Sequence, residues 1–234
     1  MMDVTKPKVH MGQITGGEAR EIYSSNPVIL LPMGSQEDQG PHGPMGDYLL
    51  AEKVTELIAI KATGDGTRTL VAPVLPFGGL DFFGSMIGGM TLQTQTLAAV
   101  ISDMINSLHR HGLTRIVVIN GHGGNVGPID DVTRAIYRES RMVVPSLYLW
   151  RIAYSLLPDL IGTDVAARVS GHGADPLTSI GMPHEYDEIL NSGVDKGDPR
   201  LSSAETGRLL TDKLVDVAAR FITHFATRLG TQQA

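Results

Sequence analysis

The chain has 234 residues and a formal net charge of −6, from 19 basic and 25 acidic side chains. With 42% apolar and 19% charged residues it can bury a sizeable core, which excludes disorder as its main state, and its mild acidity argues against a nucleic-acid partner. There is no cysteine, so disulfides, thiolate metal sites and a Cys nucleophile are excluded together.

The opening stretch MMDVTKPKVHMG lacks an apolar signal core, and no apolar run approaches the ~18 residues of a membrane-spanning helix. The expectation is a soluble, cytoplasmic chain that meets neither membrane nor nucleic acid. The first strand is expected at Val28-Ile29-Leu30-Leu31, ending at Pro32 and Gly34. An unbroken branched run of this kind suits a strand buried on both faces of a parallel sheet. After a Gly/Pro-rich loop to Gly46, Leu50, Val54, Leu57 and Ile58 recur at helical spacing, with Asp47 placed as a cap. Leu70 to Val74 reads as a second strand. Gly78 to Met90 is a glycine-rich loop of a length that usually marks function.

Leu97, Val100, Ile101, Met104, Ile105 and Leu108 then define a helix ending near His111-Gly112. Arg115 to Asn120 is an apolar strand, Val132 and Ile136 mark a helix, and Met142 to Leu149 reads as another strand. A terminal helix runs from Ala204 to Phe225. Alternating strands and helices imply an α/β fold with a mostly parallel sheet, and the absence of a repeat or linker implies one domain over 1–234.

In such sheets, ligands bind at the carboxyl ends of strands. The loop after the first strand offers Glu37, Asp38, Gln39, His42 and Asp47; the segment NGHGGN offers Asn120, His122 and Asn125; and Ser170 to Asp175 adds His172 and Asp175. Imidazole and carboxylate are the ligand set for zinc, manganese or iron when thiolate is missing. Each feature also has a plainer reading. Asp47 can simply cap a helix, and His122 can pack or hold a turn. NGHGGN can cradle a phosphate at a helix N-terminus, although the P-loop Lys and Ser/Thr are missing. His109 and His111 suit a helix C-terminus. Trp150, at a strand end, suits either core or a substrate platform.

Leu31 to His42, LPMGSQEDQGPH, resembles the opening LPxGSxEQHGPH of the creatininase (creatinine amidohydrolase) family. Asp47 to Glu52 is similar to its DTLIAE, Asn120 to Asn125 to its NGHGGN, and Gly171 to Ser179 to a modified HAGExETS block. The resemblance implies a three-layer sandwich with a central, mostly parallel sheet. It also implies a dinuclear centre of divalent metal, which this chain's departures from the family pattern reduce to one or two ions per subunit, and a homo-oligomer, often a hexamer. By position it makes Glu37, Asp47 and His122 metal ligands, with Asp175 at a further ligand position and Gln39 where the family has a ligand His. His172 matches a His beside the reacting substrate, so His172 and Asp175 are the expected catalytic groups. Leu177 replaces the family's second Glu, and Phe82-Phe83 fall where the family has a Glu-His pair.

The expected substrate contacts are His42, Phe82, Phe83, Asn125, Trp150 and His184, with Met86 and Met90 adding apolar surface. The reading is a metal-dependent hydrolase opening a C–N bond of a small molecule: an amide, cyclic amide or formamide. A metal-assisted lyase, isomerase or decarboxylase on the same scaffold, or a non-catalytic binding homologue, stands as the alternative.

Overall fold

Strand β1 (Val28–Met33) lies at the centre of a four-stranded, all-parallel sheet of order β2-β1-β3-β4. Its partners are β2 (Thr69–Val71) and β3 (Ile116–Asn120), and β4 (Ser146–Tyr148) pairs on the outside of β3. The structure is a computed structural model describing residues 6–80, 87–174 and 197–232, the side chains of 229–232 excepted. Every residue of β1 and β3 is buried, as a strand covered on both faces requires. Val28, Leu30, Val117 and Ile119 face one layer, and Ile29, Leu31, Met33, Ile116 and Val118 face the other. Each fully buried leucine or isoleucine contributes roughly 1.5–3 kcal/mol relative to exposure.

The first layer holds α2 (Asp47–Gly64), α5 (Leu149–Ile161), α6 (Thr163–Val169) and α7 (Ala204–Gln232). The second holds α3 (Thr94–Arg110) and α4 (Val126–Ser140), with α1 (Gly16–Ser24) against its edge through Ile22 and Tyr23. The expected α/β sandwich is therefore the observed one, although several elements differ in extent. β1 runs through Pro32 to Met33 instead of stopping before it. The carbonyl of Pro32 accepts from Leu75, so its missing N–H lies on the β2 side, beyond the last β2 residue paired with β1.

The strand expected to reach Leu149 ends at Tyr148, and the chain turns directly into α5, an element not foreseen; Trp150 thus sits in a first helical turn. β2 is also shorter than expected, ending at Val71, two residues before Pro73. Chain direction splits at the centre of the sheet. From β1 the chain passes to β2 on one side, and from β3 it passes to β4 on the other. A crevice opens between the carboxyl ends of two such strands, and ligands of parallel sheets bind there.

Candidate functional site

At that crevice the loop after β1, the first turn of α2 and the loop after β3 converge. Ligand atoms of Glu37, Asp47 and His122 lie within 4.8 Å of one another. All three residues are buried, at 5%, 7% and 3% exposure. Their juxtaposition depends on Gly34, where a Cβ would collide with Asp47 Oδ1 and the backbone of Tyr48. With no side chain there, the start of α2 abuts the end of β1, and the Ser35 N–H donates to Asp47 Oδ1 at 2.7 Å. Asp47 is therefore not the cap of its helix: Gly46 holds the cap position, and the carboxylate faces the strand ends.

The Nδ1 atom of His122 lies 3.1 Å from Glu37 Oε1 and 3.1 Å from Asp47 Oδ2. Its Nε2–H donates to the carbonyl oxygen of Gly79 at 3.0 Å. A carbonyl only accepts, so Nε2 keeps its proton and Nδ1 is the atom turned toward the carboxylates. Burial works against a charged imidazole here. The hydrogen bonds to Asp47 and Glu37 outweigh it and push His122 up to about 10. Burial likewise raises the Asp47 carboxyl, and the His122 hydrogen bond pulls it back. Both directions describe one proton held among the three groups. Two carboxylates and one imidazole sharing a proton are a donor set that could hold a divalent cation, with zinc, manganese and iron all compatible with it.

Gln39 is buried beside the triad and gives its Nε2–H to Glu37 Oε1 at 3.1 Å. His172 enters from the segment after α6. Its Nε2–H donates to the Asp38 carbonyl at 2.7 Å, which leaves Nδ1 as the basic nitrogen, 3.8 Å from Glu37 Oε1. These groups line one side of a cavity of about 190 Å³, and Trp150 lines another part of it. His42 is buried on the same loop as Glu37, outside the described cavity wall.

Asn125, an expected substrate contact, is bonded to the strand-end loops of the protein itself. Its Oδ1 accepts from Gly79 N–H at 2.9 Å, and its Nδ2 donates to Gly34 O at 3.2 Å and Asn120 Oδ1 at 3.0 Å. A fully buried amide with three such partners ties the strand-end loops together. Phe82, Phe83, Met86, Asp175, His184 and Glu185 lie outside the described residues. The Gly79 carbonyl, the Ser35 N–H and the apolar residues Leu50 and Tyr154 of the cavity wall escape the sequence reading. Only the i, i+3 spacing of Leu50 from Asp47 signals any of them in advance.

The creatininase family model, described as creatinine amidohydrolase, matches residues 12–156, more than half of the chain. A mycofactocin precursor peptide peptidase from Mycobacterium ulcerans is 26% identical over 230 residues, covering 88% of this chain and 88% of its own. Creatinine amidohydrolase from Pseudomonas putida is 32% identical over 127 residues, covering 50% of this chain and 46% of its own. A crystal structure of creatinine amidohydrolase (creatininase) superposes with a TM-score of 0.73 at 24% identity, over 93% of this chain and 97% of that one. The matched region contains the whole Glu37–Asp47–His122 cluster, and the chain belongs to the creatininase family.

Proposed function

We propose that the chain is a metal-dependent hydrolase that opens the C–N bond of an amide. The observation that carries this reading is the convergence of two buried carboxylates and the Nδ1 of His122 at the parallel strand ends. Support also comes from the family, whose relatives include a peptide peptidase and a creatinine amidohydrolase, and from creatininase structures described as manganese and Zn-Zn forms. Both named substrate types are cleaved at carbon–nitrogen bonds, and that shared chemistry is what the reading transfers to this chain.

Glu37, Asp47 and His122 are the residues that would hold the ion. A divalent ion there supplies Lewis acidity and brings water close to ionisation at neutral pH. The chain's own groups do the rest. The Ser35 N–H fixes Asp47, Gln39 orients Glu37, and the Gly79 carbonyl fixes the His122 ring. Nδ1 of His172 is the basic nitrogen at the cavity wall, placed to accept a proton and deliver it to the leaving nitrogen. In the overall reaction the oxygen of water joins the carbonyl carbon, the C–N bond breaks, and the proton of water ends on the departing amine. Asp175, directly after the described segment, is a further candidate base or ligand.

The test is amide cleavage by the full chain after loading with manganese or zinc, read alongside metal content. Metal-dependent release of an amine, abolished by His122→Ala together with the bound ion, is expected. Full activity in a His122→Ala protein that holds no metal would overturn the reading.

A further inference from the structure

The cavity beside the triad has two unlike sides. One carries Glu37, Asp47, His122 and His172; the other is built from hydrocarbon and aromatic surface. On α2, Asp47, Leu50 and Val54 recur at i, i+3 and i+7, so a proposed ligand and an apolar wall share one helical stripe. On α5, Trp150, Ala153 and Tyr154 recur at i, i+3 and i+4 and face the same space. Val54 and Ala153 are fully buried, Leu50 and Trp150 are half-buried, and Tyr154 is at the exposed rim.

Among the described residues that line this cavity there is no lysine or arginine, and the carboxylates are the two of the triad. An ionised group pressed against the apolar side would lose its water without gaining a partner. The volume of about 190 Å³ is below that of whole-ligand pockets. An apolar cavity of about 150 Å³ takes up one benzene ring. That is the size of one side chain of the leucine-to-phenylalanine class, so the remainder of a larger substrate stays outside.

We propose that this cavity is a subsite for one uncharged, apolar side group attached to the amide being cleaved, with Leu50 and Trp150 as its specificity-determining walls, a role that rests on the hydrolase reading above. Because Leu50 and Asp47 ride on the same rigid helix, the side group and the scissile carbonyl are held at a fixed separation. The substrate class is then an amide or peptide with an aliphatic or aromatic residue at the cleaved position, not an amino acid with a charged side chain.

Trp150 is the chain's single tryptophan and lines this cavity, so no other tryptophan contributes to its signal. The experiment titrates the full, manganese-loaded chain with the N-acetyl amides of leucine, phenylalanine, asparagine, aspartate and lysine, following Trp150 emission and, separately, amide cleavage. The leucine and phenylalanine compounds are expected to saturate the emission change at a concentration at least about tenfold below that of the near-isosteric asparagine compound, with both charged ones weaker still. Leu50→Asn is expected to cut the leucine preference about tenfold, and Leu50→Met to keep it. Equal affinity across the series, or tighter binding of a charged member, overturns the subsite whether or not the variants fold. Selective saturation without cleavage of any compound overturns the hydrolase reading and leaves the subsite standing. Cleavage of all five with equal kcat/KM does the reverse.

Discussion

The Nε2–H of His122 is bonded to the main-chain carbonyl of Gly79 at 3.0 Å, and that bond decides which imidazole nitrogen is available for an ion. The Gly79 peptide is itself held, because its N–H donates to Asn125 Oδ1. Asn125 in turn reaches Gly34 O after β1 and Asn120 Oδ1 at the end of β3. A single buried amide therefore connects the loops after β1, β2 and β3. The Nδ1 of His122 meets Glu37 and Asp47 only because all three loops are fixed together.

Asn125→Ala should consequently weaken metal binding without removing a ligand. Loss of such an outer partner typically costs 10–100-fold in metal affinity. The orphaned Gly79 N–H and Gly34 carbonyl should also lower stability by about 1–3 kcal/mol each. Zinc titration together with nitrogen NMR of the His122 ring checks this. Above about pH 10, where the ion-free ring is neutral, a mixed tautomer population is expected in the variant, and an unchanged ring with unchanged affinity would show that Asn125 is only structural.

Gly124→Ala should damage the same bond from the other side. A Cβ at position 124 would collide with the Gly79 carbonyl oxygen and with His122 Nε2. The first neighbour is backbone, so it cannot rotate away, and either the loop or the ring must move. The expected outcome is at least a tenfold loss of zinc affinity with a lowered Tm, whereas Gly123→Ala, at a position where a Cβ meets nothing within 4 Å, should leave both close to unchanged. Calorimetry of the two variants side by side makes the comparison.

The parts of this site that sequence discloses are the ones with a side-chain signature. Glu37 and His122 stand in glycine-rich loops after strands whose apolar runs are easily read, and Asp47 opens the helix that follows the first of those loops. Gly79 acts through its carbonyl and Ser35 through its N–H, and main-chain groups leave no residue pattern. In the fold, β1, α3 and β3 were legible because their apolar residues are continuous or periodic. Helix α5 was not, since LWRIAYSLLPDLI follows β4 without a loop and contains Pro158, so one apolar stretch covers two elements. Helix α1 buries no residue fully; its readable signal is the capping box of Thr15 and Glu18.

Metal affinity should rise with pH. His122 sits at about 10 in the ion-free site, above the ordinary imidazole value of about 6.5. A raised value means that the proton stabilises the ion-free fold fully below about 6.5, and that this contribution is lost as pH climbs through about 10. An ion must expel the same proton to reach Nδ1. Between pH 6 and 8 the apparent zinc association constant should therefore increase about tenfold per pH unit, with close to one proton released per ion bound. Calorimetric titration in buffers of different ionisation enthalpy measures that release. A pH-independent affinity would place the ion elsewhere.

The final prediction concerns Gln39. Glu37 Oε1 accepts from Gln39 Nε2 at 3.1 Å, so this amide turns a donor, not its oxygen, toward the carboxylate shared with His122. An N–H aimed at that oxygen orients the carboxylate and opposes a second cation on the same side. Among the described residues the cluster with metal-ligating geometry is Glu37, Asp47 and His122. The unmodified protein is therefore expected to retain one tight ion per chain after dialysis, with any second ion much weaker. Gln39→His replaces a neutral amide with an imidazole, a better ligand for zinc, and should raise retained zinc toward two per chain. It should not raise activity on the natural substrate, because it also removes the hydrogen bond that orients Glu37. Metal analysis of both proteins after identical loading and dialysis decides the matter. Two ions of equal affinity in the unmodified chain would mean that the Gln39 oxygen, or a residue such as Asp175 or His184, already completes a second centre.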